Sequence, residues 1–261
     1  DHLIDPEAVE AAITARTRAI MPTQLNGRTC DMDALQVIAD NHGLMIIEDA
    51  AQALGSMFGG KCAGTFGLAG ATSFYPAKLL GCYGDGGAVF TNDDGVYDRV
   101  YRLRDHGRTR HGEVNGWGFN SRLDNLQAAI LDHMLRSYDQ EMARRREIAS
   151  LYQRQLGDLP QVQLPPAPDA DPRHFDVYQN YEIQADHRDA LRDFLRQRNI
   201  GTLIQFGAKA VHQYESLGLC YRLPKTDAFY ERCMMLPMNT SLTDDDVEYV
   251  CDAVRQFYET R

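Results

Sequence analysis

Apolar positions along the first fifty residues alternate between helical and strand-like spacing. Asp5-Pro6 reads as a cap followed by a first-turn proline, and Val9, Ala12 and Ile13 then recur at helical intervals. Ala19-Ile20-Met21 is a short apolar run closed by Pro22. Asp31 predicts a second cap, with Leu35, Ile38 and Ala39 on one face and His42-Gly43 as the stop. Residues 44–47 are continuously apolar and end in Glu48-Asp49, which predicts a strand covered on both faces, as in a parallel sheet. Further apolar pieces at 69–75 and 88–91 flank a glycine-dense stretch from 55 to 87, where backbone can approach a ligand closely. One long helix is predicted over about 122–155, with Leu123, Leu126, Ile130 and Met134 near its start and a solvated charged run at 141–147. Five prolines between 160 and 172 read as a linker. Beyond them come a strand at 178–183, an amphipathic helix at 187–198 and a last helix capped by Thr243 ahead of three aspartates. The pattern is α/β, with a large domain at 1–135 and a smaller α+β domain at 136–261 that begins within the long helix.

Composition narrows the function classes. The formal charge is -10, and a net-acidic surface repels nucleic acid and anionic membranes. No apolar run reaches the roughly 18 residues of a bilayer span, and residues 1–10 read as an acidic helix start, not a signal peptide. The six cysteines are scattered without CxxC pairs or metal-like spacing to histidine, which predicts reduced thiols, a cytoplasmic location and no metal site. Gly84 and Gly86-Gly87 lack the spacing of a dinucleotide fingerprint.

Lys78 carries the most chemical interest. It sits in Ser73-Phe74-Tyr75-Pro76-Ala77-Lys78, between an apolar run and the cluster Gly81-Cys82-Tyr83-Gly84-Asp85-Gly86-Gly87. A lysine that burial can strip of its proton attacks carbonyls and forms Schiff bases, although most lysines are solvated surface charges. Asp49, alone, could equally be a helix cap or a metal ligand.

Several segments in order make the pattern specific. Glu48-Asp49-Ala50-Ala51-Gln52-Ala53, then residues 73–78, then Gly84-Asp85-Gly86-Gly87, resemble the sugar aminotransferases of the DegT/DnrJ/EryC1/StrS family. The likeness continues through Gly118-Phe119-Asn120-Ser121-Arg122, Leu126-Gln127-Ala128-Ala129, Arg144-Arg145-Arg146 and Leu236-Pro237-Met238. The resemblance implies a fold-type I transferase dependent on pyridoxal 5'-phosphate, with a mostly parallel sheet in its large domain. It implies that Lys78 forms the cofactor Schiff base and acts as catalytic base, and that Asp49 keeps the ring nitrogen protonated. Gln52 would lie near the ring, Ser73 would donate to the phosphate, and Asn120 would reach the phosphate in a neighbouring subunit of a homodimer. Lysine at position 78 is expected of the aminotransferases, since related dehydratases carry histidine there.

L-glutamate is the donor the resemblance implies, and a nucleotide-linked keto-sugar the acceptor, for amino-sugar and cell-surface polysaccharide biosynthesis. The sequence after Lys78 looks more like members that aminate a 3-keto sugar; a 4-keto sugar and a non-catalytic regulatory or assembly relative are the alternatives. Arg122 is a candidate substrate contact or an ordinary salt-bridge partner. His106, His111 and His212 are weaker candidates, and Trp117 could pack beneath the Asn120 loop. Family members usually extend further at the amino end, where a glycine turn and a stacking aromatic ring complete the cofactor site, so the likeness starts inside the large domain. Gln205-Phe206 stands where many relatives carry a histidine-tyrosine pair, which predicts altered sugar contacts.

Overall fold

The computed structural model describes residues 1–260. In chain order its elements are α1 (Pro6–Ala12), β1 (Ala19–Ile20), α2 (Met32–His42), β2 (Met45–Asp49), β3 (Met57–Phe58), β4 (Lys61–Cys62), β5 (Ala69–Ser73), β6 (Gly87–Phe90), α3 (Asp94–Leu103) and α4 (Asn125–Leu135). There follow α5 (Tyr138–Leu156), β7 (Val162–Gln163), β8 (His174–Phe175), β9 (Tyr181–Ala185), α6 (Arg188–Arg196), α7 (Pro224–Arg232), β10 (Cys233–Leu236) and α8 (Asp244–Glu259). Contacts divide the chain into two compact units, one of residues 2–142 with 171–179, the other of Asp1, 143–170 and 180–261. The sequence pattern put its boundary at 135/136; the contacts put it at 142/143, inside α5, and return 171–179 to the first unit.

The first unit is built on a sheet of order β1-β2-β5-β6, parallel except for the last strand. Its helices start where the sequence predicts. Asp5 Oδ1 accepts from Glu7 N–H ahead of α1, and Asp31 Oδ1 accepts from Ala34 N–H ahead of α2, which stops at left-handed Gly43. Leu35, Ile38 and Ala39 of α2 pack with Ile20, Ile46 and Phe58 as one core. The strand expected to be covered on both faces is covered on one. Ile46 and Glu48 are buried, whereas Met45 and Ile47 are exposed, because successive side chains of a strand point to opposite faces and only one face carries α2.

The long helix predicted over 122–155 is two helices. Ser137 breaks it: both its N–H and its hydroxyl turn back to the Met134 carbonyl, and its own carbonyl starts α5 by accepting from Gln140 and Glu141. The second unit holds the antiparallel sheet β10-β9-β7. Tyr152 of α5 stacks on Tyr181 of β9 at 4.7 Å and donates its hydroxyl to the Pro237 carbonyl. α8 lies on α6 through a buried stripe that includes Val247, Val250, Cys251 and Val254, and starts at the Thr243 cap read from sequence. No helix among the described residues is long and apolar enough to cross a membrane.

Candidate active site

Parallel pairing of β2 with β5 sets Asp49 opposite Ala71, and Ala50 N–H continues the ladder to the Ala71 carbonyl. β2 ends there and β5 two residues further on, at Ser73, and open α/β sheets bind ligands at such carboxyl ends. Glu48 and Asp49 part company at this point. Glu48 is buried and accepts from Gln24 Nε2 and from the N–H groups of Gly64, Phe66 and Gly67, at 2.6–3.1 Å. It therefore anchors the 64–67 loop. Asp49 faces the other way, half-buried, with Oδ1 accepting from Ala51 N–H at 3.0 Å.

Beyond β5 the chain folds into a tight loop that carries Lys78. Phe74 N–H bonds to the Gly86 carbonyl, Cys82 N–H to that of Phe74 and Lys78 N–H to that of Tyr75, each at 2.8 Å. Two glycines that flank this loop approach backbone closely. A Cβ on Gly81 would lie 2.7 Å from the Pro76 carbonyl oxygen, and one on Gly87 would lie 2.7 Å from that of Thr72. Their role is to let the loop close on itself, so that Lys78 projects from a compact turn.

Lys78 is half-buried. Burial pushes its ammonium below the ordinary lysine range, and the negative charge of Asp49 acts in the opposite direction. The two residues singled out from sequence are thus electrostatically coupled across 29 positions of chain. Ser73 ends β5 and accepts from Tyr75 N–H through Oγ, which leaves its hydroxyl hydrogen to donate elsewhere. Gln52, in the turn after β2, accepts through Oε1 from Asn26 N–H at 2.9 Å.

Asn120 and Arg122 belong to a different cluster. Arg122 donates to Asn120 Oδ1 at 2.9 Å and to Asp105 Oδ1 at 3.2 Å, across a bridge that pairs Asp105 with Asn120. Arg122 is accordingly a salt-bridge partner in this chain. Trp117 does not support that loop by packing, because it is 98% exposed. Backbone bonds hold the loop instead, from His106 N–H to the Phe119 carbonyl and from Ser121 N–H to that of Arg104, both 2.8 Å. His106 and His111 are exposed. In the second unit, His212 pairs with Asp227 at 2.9 Å, and Gln205 donates to the buried Glu182 at 3.1 Å beside an exposed Phe206.

These groups fit pyridoxal 5'-phosphate. A lysine pushed toward its neutral form can attack an aldehyde, a carboxylate in its field can hold a ring nitrogen's proton, and a serine hydroxyl with a free hydrogen can meet a phosphate. Sequence reading missed Gln179, whose side chain is bonded to the backbone on both sides of Lys78 at 2.9 Å. No local signal reveals it, because it lies about a hundred residues away in the chain.

Comparison with known proteins places these features in context. Residues 1–255 match the model of the DegT/DnrJ/EryC1/StrS aminotransferase family. The chain is similar to a dTDP-3-amino-3,4,6-trideoxy-alpha-D-glucose transaminase of Streptomyces venezuelae, 40% identical over 99% of this chain and 69% of that protein. It is also similar to a pleiotropic regulatory protein of Geobacillus stearothermophilus, 39% identical over 98% of this chain and 69% of the relative. The crystal structure of S. venezuelae DesV in complex with a ketimine intermediate superposes with a TM-score of 0.93 at 39% identity, covering 98% of this chain and 69% of that one.

Proposed function

This chain belongs to the DegT/DnrJ/EryC1/StrS aminotransferase family, and on that premise we propose that it moves an amino group from L-glutamate to a nucleotide-linked 3-keto sugar, with pyridoxal 5'-phosphate held at Lys78. The observation that carries the proposal is a half-buried lysine, pushed toward neutrality by burial, in the field of a carboxylate at the end of the adjacent strand. A transaminase needs an amine that is a nucleophile at one stage and a proton carrier at the next.

Each side chain has a part that its surroundings equip it for. Lys78 would hold the cofactor covalently through Nζ, and the same amine is equipped to carry a proton. Asp49 keeps the pyridine nitrogen protonated, and Gln52 borders the ring from the turn after β2. Ser73 donates its hydroxyl to the phosphate, and Asn120 of a second copy reaches that phosphate in a homodimer. When bound, the cofactor supplies an electron sink for the charge left as a proton leaves the carbon bearing the transferred nitrogen. Preference for a 3-keto sugar is supported by the sequence after Lys78 and by the 3-amino sugar for which the Streptomyces relative is named.

The test is direct. Added pyridoxal 5'-phosphate gives the wild-type protein a new visible absorbance band, and borohydride fixes the cofactor mass on the peptide containing Lys78. Lys78→Ala shows neither. L-glutamate then bleaches the band and releases 2-oxoglutarate, and a panel of 3-keto and 4-keto nucleotide sugars reveals which one accepts the nitrogen. A wild-type protein with no Lys78-dependent band overturns the proposal.

The likeness to a pleiotropic regulatory protein supports a second reading, a relative that keeps the fold and serves assembly or regulation. It requires no half-reaction with glutamate. Retention of Asp49, Gln52, Ser73, Lys78 and Asn120 weighs against it, because a scaffold has no physical need for all five.

A further inference from the structure

Ala77 C=O and Leu79 N–H, the backbone groups on either side of Lys78, are both taken by one side chain. Gln179 Nε2 donates to the Ala77 carbonyl, and Gln179 Oε1 accepts from Leu79 N–H, each at 2.9 Å. The two bonds bracket the Lys78 Cα and fix the peptide planes before and after it. A carboxamide suits this task because it presents a donor and an acceptor together in one plane.

Gln179 is itself held firmly. It is 9% exposed and follows Tyr178, whose φ of 48° is left-handed and costly for an aromatic residue. Backbone contact with Gly27 over-determines that conformation. A Cβ at Gly27, whose φ is 91°, would lie 2.7 Å from both Tyr178 N and Gln179 N, and Gly27 O accepts from Val177 N–H at 2.9 Å. Next to it, Arg28 and Asp176 form a well-buried ion pair at 2.5 Å. All of these residues belong to the first unit. So much restraint upstream of one amide is hard to account for unless its placement matters.

We infer that Gln179 is a positioning residue for Lys78, a clamp that holds the lysine peptide so that its amine leaves the loop toward Asp49. The inference rests on the reading of Lys78 as the reactive amine, and its test is independent of cofactor. The protein has four lysines, Lys61, Lys78, Lys209 and Lys225, so amine labelling can be followed peptide by peptide. Cofactor-free wild type and Gln179→Met, which keeps the volume and loses both bonds, are labelled with a small amine reagent across a pH series. For each lysine the midpoint reports proton affinity and the plateau reports access. In Gln179→Met the Lys78 midpoint rises toward the ordinary lysine range, because relief from burial, the larger influence, outweighs the loss of the Asp49 field, while the other three midpoints stay fixed.

Hydrogen exchange gives a second readout. The Leu79 amide exchanges about tenfold faster in the variant, and the Lys78 amide, bonded within the loop, changes much less. Gln179→Asn, one methylene too short to span both groups, replaces the methionine variant if that one does not fold, and the same shifts are expected. An unchanged Lys78 midpoint together with unchanged Leu79 exchange in a folded variant overturns the clamp. A clamp confirmed in a protein whose Lys78 takes no cofactor would instead leave the clamp standing and reject the transaminase reading.

Discussion

Glu48 and Asp49 are neighbours with the same charge, and the pleat of β2 gives them opposite tasks. One is buried under four hydrogen bonds, three of which fasten a loop; the other lies in the field of Lys78. Lys78 has a consequence for stability as well as chemistry. Its native pKa is pushed below 10.5 by burial, so at neutral pH the unfolded chain holds its proton more tightly than the folded one. The penalty on the folded state is fully present below the native pKa and disappears as pH rises to the ordinary value. Lys78→Met is therefore expected to melt above wild type at pH 7, with the advantage shrinking as pH approaches 10.5. Melting curves of both proteins across that range check the sign; a constant difference would mean that the titration of Lys78 is not its source.

Among the elements, helix starts were the most legible. Asp5, Asp31 and Thr243 were read as caps from local pattern, and each side chain accepts the N–H that a cap should. Thr243 and Asp246 form a reciprocal pair at the start of α8, Thr243 Oγ1 accepting from Asp246 N–H and Asp246 Oδ2 accepting from Thr243 N–H. Thr243→Ala should cost about 1 kcal/mol by denaturant unfolding, and Thr243→Ser should restore most of it. The break between α4 and α5 was not legible. Met134, Leu135 and Arg136 before Ser137 are good helix formers, yet Ser137 turns back on the Met134 carbonyl where the helix breaks.

For the molecule as a whole, two features depend on residues far apart in sequence. Residues 171–179 return to the first unit through the β3–β8 ladder, the Arg28–Asp176 pair and the Gly27 contact. The proline-rich composition nearby signals only an irregular path. The other feature is the open face of the main sheet, where Met45, Ile47 and Val89 are 37–47% exposed. Exposed apolar residues on one sheet should bind a dye that reports hydrophobic surface. Ile47→Lys with Val89→Lys should reduce that signal by roughly half without changing far-UV circular dichroism. Equal dye binding by wild type and double variant would place the apolar surface elsewhere.

Sequence alone determined the α/β class, the caps at Asp5, Asp31 and Thr243, and Lys78 as a chemically apt residue, because these follow from local spacing and side-chain type; Asp49 and Ser73 were singled out by the resemblance to a family. Folding decided what the neighbouring Glu48 does, why Gly81 and Gly87 are needed, where the long helix breaks and which distant amide holds Lys78. Those outcomes arise from strand register and from pairings between residues distant along the chain, and neither periodicity nor composition encodes them.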